Sequence, residues 1–197
     1  MAGAEFGATL WGRAWLRTVE RTDGTPRAQL PKARSLSRNH KVDLVLPGAD
    51  AADGSPAVTA AVRDGSSTPT VPLAPCGWSA AEQDAAGNVL AGLRPDPSGD
   101  LPDDLIGRFG DAGVPVVPAA PDETATCTCR ARSRPCAHIL ATLYTLVSTI
   151  DERPVTALEL RCPDGVGNGG GAGAGSDADW IALEDIDPAT FFDPPVR

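Results

Sequence analysis

Three of the five cysteines and one of the two histidines lie within a single stretch of twelve residues. They are Cys127, Cys129, Cys136 and His138, so the spacing is Cys-x-Cys, six residues, then Cys-x-His. Thiolates and imidazole are preferred ligands of zinc, and four of them complete the tetrahedron of a structural site. The pattern therefore predicts one closed Zn²⁺ site.

The two ligand pairs require different backbones. In an extended segment residues i and i+2 point to the same side, so Cys127 and Cys129 would converge there. In a helix they diverge, so we expect Cys136 in the turn before a helix and His138 in its first turn. Pro135 suits that entry. Apolar residues then recur at helical spacing, namely Ile139, Leu140, Leu143, Val147 and Ile150. The pattern predicts a β-hairpin, a knuckle and a helix held by one metal.

This arrangement resembles the SWIM zinc-finger family, whose signature is CxC, a gap and then CxH on a ββα unit. The four residues match that signature position for position. The amino-terminal stretch FGATLWGRAWLRTVE also resembles the opening of actinobacterial SWIM proteins, so the resemblance extends over residues 6–160, although the middle matches only in layout. It implies contact with DNA, RNA or a protein partner, and association with a Snf2-type helicase.

Other interpretations of the cluster stay open. The cysteines could be buried thiols beside a surface histidine, or they could form a disulfide, although a reducing cytosol favours metal. Cys136 and His138 could be a nucleophile and its base. Three clustered cysteines favour a closed site instead, and the chain has no GxSxG, P-loop or HExxH motif, so we expect no enzyme. Cys76 and Cys162 lack partners at ligand spacing and are interpreted as ordinary thiols; the alternative is that either lies near the metal in the folded chain.

Basic residues concentrate in two stretches. Three arginines lie between the ligand pairs, where the metal would hold both ends of their loop. A second stretch, residues 28–41, contains no acidic residue. We predict that both stretches contact phosphate or a partner; the alternatives are charges that only aid solubility, and an ordinary solvated loop or edge strand. The candidate residues are Arg130, Arg132, Arg134, Lys32, Arg34, Arg38 and Lys41.

The whole chain has a net charge of −9, whereas proteins that bind nucleic acid by bulk charge are usually basic, so any such binding must use a local face. Aromatic residues make up 5% of the chain, which predicts a modest core and a large metal contribution to folding, on the order of 10 kcal/mol. The first residues lack a secretory signal. No apolar run approaches the ~18 residues of a membrane span. We expect a soluble, cytoplasmic protein.

We predict an α+β fold in which a small antiparallel sheet carries flanking helices and the ββα finger. Trp11 and Trp15 share the apolar face of a first helix, which favours core anchors over base-stacking groups. Ser79 and Glu82 form a capping box for another helix. Further expected elements are strands near 42–46, 57–63 and 70–73 and a short helix near 105–110.

Four regions are expected along the chain. The glycine-rich sequence GVGNGGGAGAG marks a flexible linker rather than a dinucleotide-binding loop, because no strand of adequate length precedes it. Beyond it, large apolar residues stand in an acidic background that could fold back or dock on another protein. The regions are an N-terminal α+β region (1–126), the finger with its helix (127–160), the linker (161–176) and an acidic, aromatic tail (177–197).

Overall fold

The α+β fold is confirmed in the computed structural model, which describes residues 5–21, 27–46, 58–74, 77–93, 96, 98–118 and 124–162. The expected tail and most of the expected linker lie outside these residues. The elements are α1 (Leu10–Val19), α2 (Leu30–Arg38), β1 (Val42–Val45), β2 (Val58–Val62), β3 (Thr70–Leu73), α3 (Ala80–Leu90), α4 (Asp104–Asp111), α5 (Ala137–Glu152) and α6 (Thr156–Glu159).

Helix α5 is the centre of the fold. Helices α1 and α2 and all three strands pack against it. Its 16 residues are buried on nearly every side, and Leu143, Leu146, Val147 and Ile150 are at most 1% exposed. A helix that is apolar all round belongs in a core. No helix in the described residues, α5 included, has the length and hydropathy that a membrane span requires.

The three strands form an antiparallel meander in the order β1-β2-β3. Val42 is opposite Val62, and Val58 is opposite Leu73. Strand β2 alternates as predicted, with Val58 and Val62 buried and Thr59 exposed. This alternation turns the apolar side of the sheet toward α5.

The segment that carries the first ligand pair runs along the outer side of β3. The amide N–H of Thr126 donates to the Pro72 carbonyl at 3.0 Å, and that of Thr128 donates to the Thr70 carbonyl at 3.1 Å. Pro72 has no N–H, so in this pairing it only accepts, through its carbonyl. The partner of the ligand segment is therefore β3 rather than a neighbouring strand of a local hairpin. The expected boundary after residue 126 lies inside this ladder.

The basic stretch at residues 28–41 folds mainly as helix α2, which rules out the alternative of an ordinary loop or edge strand. Ala33, Leu36 and Ser37 are buried, and α2 packs against α5. The few apolar residues of α2 are enough to hold it in place, because they form one narrow stripe that packs on the strongly apolar helix α5. The four-residue helix α6 was not predicted, since so short a helix shows no periodicity.

The other helices agree with the sequence. Trp11 and Trp15 are each 1% exposed, so they are core anchors and not base-stacking groups. Ser79 and Glu82 make both hydrogen bonds of a capping box at the start of α3. That helix ends at Leu90, and α4 lies where the short helix was expected.

The amino-terminal segment closes over the last turn of α5 through one carboxylate. Asp151 accepts the N–H of Gly7 at 2.7 Å and both the N–H and the hydroxyl of Thr9 at 2.8 and 2.9 Å. Gly12 lies so close that a Cβ there would be 2.0 Å from Asp151 Oδ1. The sequence FGATLWG is therefore built around this contact.

We expect Gly12→Ala to lower the free energy of unfolding by about 1–3 kcal/mol, because the new methyl group forces Asp151 away from its three donors. Gly87→Ala is the matched control, since a methyl group on this glycine of α3 would meet no neighbouring group within 4 Å. It should stabilise by about 0.5–1 kcal/mol through helix propensity alone. Denaturant unfolding of both zinc-saturated variants measures the difference. Equal effects would contradict the steric role of Asp151.

Candidate metal centre

The four predicted ligands meet at one point. One donor atom from each of Cys127, Cys129, Cys136 and His138 lies within 4.8 Å of the others, and Cys127 Sγ is 3.8 Å from His138 Nδ1. Zinc bonds of about 2.3 Å to sulfur and about 2.0 Å to nitrogen place the corners of a tetrahedron roughly 3.5–3.8 Å apart. The cluster is slightly wider than that, so binding of one ion requires the donor atoms to move closer together.

The backbone explains how the two pairs converge. Cys127 lies within the ladder beside β3, between Thr126 and Thr128, and Cys129 comes directly after it. The Cys129 N–H donates to Cys127 Sγ at 3.4 Å. Cys136 is the residue before α5, with extended dihedral angles (φ −83°, ψ 168°), and His138 is the second residue of the helix. Both placements are those that the spacing predicted.

Burial makes this group of thiols dependent on a cation. Cys136 is 1% exposed, and both Cys127 and His138 are 8% exposed. Burial raises the pKa of Cys127 to about 12, although the N–H of Cys129 acts to lower it. Burial also acts to raise the pKa of Cys129, but hydrogen bonds, the strongest from the Ala131 backbone, outweigh it and lower that pKa to about 6. Several thiolates can coexist here only beside a positive ion.

Asp64 holds the other side of the histidine ring. Its Oδ2 atom lies 2.9 Å from His138 Nε2 and 2.6 Å from Lys32 Nζ. The hydrogen bond from Lys32, followed by that from His138, lowers the pKa of Asp64, which is therefore a carboxylate that only accepts. It follows that Nε2 carries the proton and that the lone pair of Nδ1 faces the thiols. The sequence did not predict this role of Asp64, because an Asp-Gly pair indicates a turn but not which distant residue the carboxylate contacts.

Residues 116–146 match the family model described as SWIM zinc finger. The chain carries a SWIM zinc finger. All four ligands lie inside the match, so the resemblance drawn from Cys127, Cys129, Cys136 and His138 is confirmed over this segment, and the donor set fits Zn²⁺. The match does not reach the amino-terminal stretch. Searches of curated proteins and of solved structures found no match.

The arginines of the SWIM finger point to solvent. Arg130, Arg132 and Arg134 are all exposed, and none has a side-chain partner among the described residues. Lys41 is exposed in the same way, whereas Lys32 is bound to Asp64. The three arginines and Lys41 are therefore accessible to a binding partner, whereas Lys32 already has one in Asp64.

Two of the predicted basic residues have structural partners instead. The guanidinium of Arg34 pairs with Glu20, and its Nε donates to Tyr144 Oη at 3.1 Å. Glu20, and next Tyr144, raise the pKa of Arg34 further above its ordinary value. Arg38 forms a bidentate salt bridge with the carboxylate of Glu5. Both guanidinium groups thus connect α2 to other parts of the fold.

Lys32 and Lys41 lie at the same corner of the molecule as the metal ligands. The Lys41 carbonyl accepts the N–H of Arg63 at 2.7 Å, and Arg63 immediately precedes Asp64, the partner of His138. Arg63 was not predicted; its pair with Asp43 is exposed and therefore weak. We call this surface the basic corner, and it comprises Arg130, Arg132, Arg134, Lys32, Lys41 and Arg63.

The two remaining cysteines do not join the ligand cluster in the described part of the chain. Cys162 is half-buried at the edge of the core and is not one of the four grouped residues. Cys76 lies outside the described residues. The proposed ligand set therefore stays at four.

We expect Cys136→Ser to abolish stoichiometric zinc binding and to lower the melting temperature sharply, because a structural zinc contributes directly to folding. Cys162→Ser is the matched control, since it removes a thiol outside the cluster. Metal analysis of the purified variants, together with thermal unfolding, measures both effects. Full zinc content in the Cys136 variant would remove this residue from the site.

Proposed function

We propose that this protein is a non-enzymatic, zinc-stabilised adaptor whose basic corner binds the phosphate backbone of nucleic acid. One observation carries the proposal. Arg130, Arg132 and Arg134 are exposed without a partner in the described residues, on a loop whose two ends are metal ligands.

Fixing both ends of the loop favours binding in two ways. A loop that is already ordered loses less conformational entropy when it docks. The guanidinium group also presents a planar fork that matches phosphate oxygens. With a net charge of −9 on the whole chain, such binding depends on this local surface and not on the overall charge.

The donor set supports an adaptor over an enzyme. Four protein ligands complete a tetrahedral zinc and leave no position for a reactive water molecule. Cys127, Cys136 and His138 are also buried, so they are poorly placed to meet a substrate. The metal in this proposal has a structural role.

Replacing Arg130, Arg132 and Arg134 together by Ala should leave zinc content unchanged and weaken binding to nucleic acid. Each lost phosphate contact should reduce the slope of log K against log salt by about 0.7–0.9. Fluorescence anisotropy with single- and double-stranded DNA and RNA across a salt series measures both quantities.

The charge-matched comparison is Arg130→Ala/Arg132→Ala against Arg13→Ala/Arg17→Ala, which removes two exposed charges from α1. Only the first pair should change the salt slope. Equal affinity of the triple variant and the wild type for every nucleic acid tested would contradict the proposal.

A protein partner is the second candidate function, and the acidic character of the chain favours it. Residues 163–197 hold seven acidic residues and one arginine, together with Trp180, Phe191 and Phe192. Large apolar side chains in such a segment are suited to docking on a protein. A Snf2-type helicase is the partner that we propose here, on the strength of the family resemblance.

If the acidic segment competes with nucleic acid for the basic corner, a chain that ends at Asp164 should bind nucleic acid more tightly than the full chain. The gain should be largest at low salt, because both contacts are electrostatic. Anisotropy of the two chains measures it. Equal affinities would exclude the competition, and loss of helicase capture in a pull-down with the shortened chain would identify the segment as the docking site.

A further inference from the structure

Three elements meet at the outer side of the zinc cluster. Lys32 on α2, Asp64 in the turn between β2 and β3, and His138 on α5 form a chain of contacts of 2.6 and 2.9 Å. We propose that Asp64 is a positioning residue of the zinc centre, which holds His138 so that Nδ1 binds the metal. Lys32 in turn holds the carboxylate. The proposal concerns the metal centre alone and does not depend on nucleic-acid binding.

The geometry of the ring assigns the two nitrogens different tasks. Nε2 faces the carboxylate of Asp64 at 2.9 Å, whereas Nδ1 faces the thiols, 3.8 Å from Cys127 Sγ. A carboxylate accepts a hydrogen bond from the ring N–H and so fixes the tautomer and the ring orientation. It also increases the basicity of the nitrogen that binds the metal. The ring is therefore prepared for coordination before the ion arrives.

Lys32 balances part of the negative charge around the metal site. A zinc ion with three thiolates and a neutral imidazole carries one net negative charge, and the carboxylate of Asp64 adds a second. The ammonium group of Lys32 compensates for it at 2.6 Å. Exposure of the side chains falls from 52% for Lys32 through 26% for Asp64 to 11% for His138, so the compensating charge stays at the solvent side.

The side chain of Asp64 has no part in holding its own turn. The turn is closed by backbone hydrogen bonds in both directions between Asp64 and Ser67, at 2.9 and 3.1 Å, and the Ser67 hydroxyl also donates to a backbone carbonyl. Replacing the carboxylate therefore leaves the turn intact. The carboxylate of Asp64 is therefore available to accept hydrogen bonds from Lys32 and from the ring of His138.

Asp64 stands 74 residues before His138 and outside the segment 116–146 that matches the SWIM finger. The zinc centre of this protein thus includes a contribution from the amino-terminal sheet. A fragment limited to residues 116–146 would lack the carboxylate and would hold its histidine less firmly.

The test uses the full-length chain and measures zinc affinity by competition with a chelator of known affinity. We expect Asp64→Ala to weaken zinc binding about 10–100-fold, the range for loss of an outer hydrogen-bonding partner. Asp64→Asn keeps an acceptor oxygen and should lose less. Asp43→Ala is the control, because this carboxylate pairs only with Arg63 among the described residues and should leave the affinity within about twofold. An Asp64→Ala affinity within about twofold of wild type overturns the proposal, even if the variant melts at a lower temperature.

A second measurement needs no variant to fold. Nitrogen-15 NMR of the zinc-loaded wild-type protein should show His138 protonated at Nε2 and metal-bound at Nδ1, with the only other histidine, His40, as an internal reference. A separate measurement on the variants is the visible spectrum of the Co²⁺-substituted protein, which should change in Asp64→Ala and not in Asp43→Ala. Coordination through Nε2 of His138 overturns the proposal outright.

Discussion

The rest of the fold depends on helix α5, which is buried on nearly every side and is held at its two ends by different contacts. Its first residues have no side-chain cap, and the cluster of Cys127, Cys129, Cys136 and His138 lies there, where the positive end of the helix dipole favours thiolates. Its last turn carries Asp151, which binds the amino-terminal segment.

The SWIM finger is consequently part of the core. Its helix is also the central helix of the domain, its first ligand segment pairs with β3, and its histidine contacts Asp64 of the sheet. Because three of the four ligands are buried in the core, we expect metal binding and folding to be coupled. A small aromatic content is compatible with a stable domain under this arrangement.

The basic residues of the surface fall into two groups, those that pair with acidic residues of the fold and those that are exposed to solvent. Arg34 and Arg38 carry charges that tie α2 to Glu20, Tyr144 and Glu5. The arginines of the zinc loop have no such partners among the described residues and face solvent. On a chain with a net charge of −9, these exposed cations would attract phosphate over a short range only, within roughly the 8–10 Å Debye length.

Sequence alone determined the features that depend on spacing along the chain. The ligand pairs, Cys136 before the helix, the buried face of Trp11 and Trp15 and the capping box at Ser79 all follow from periods of two or 3.6 residues. Tertiary structure decided the contacts between distant residues. The pairing of Asp64 with His138 and of Asp151 with Gly7 joins positions 74 and 144 residues apart, and no local pattern encodes such a pair. Helix α2 was likewise decided by tertiary structure, because its mostly polar sequence becomes helical through packing on α5.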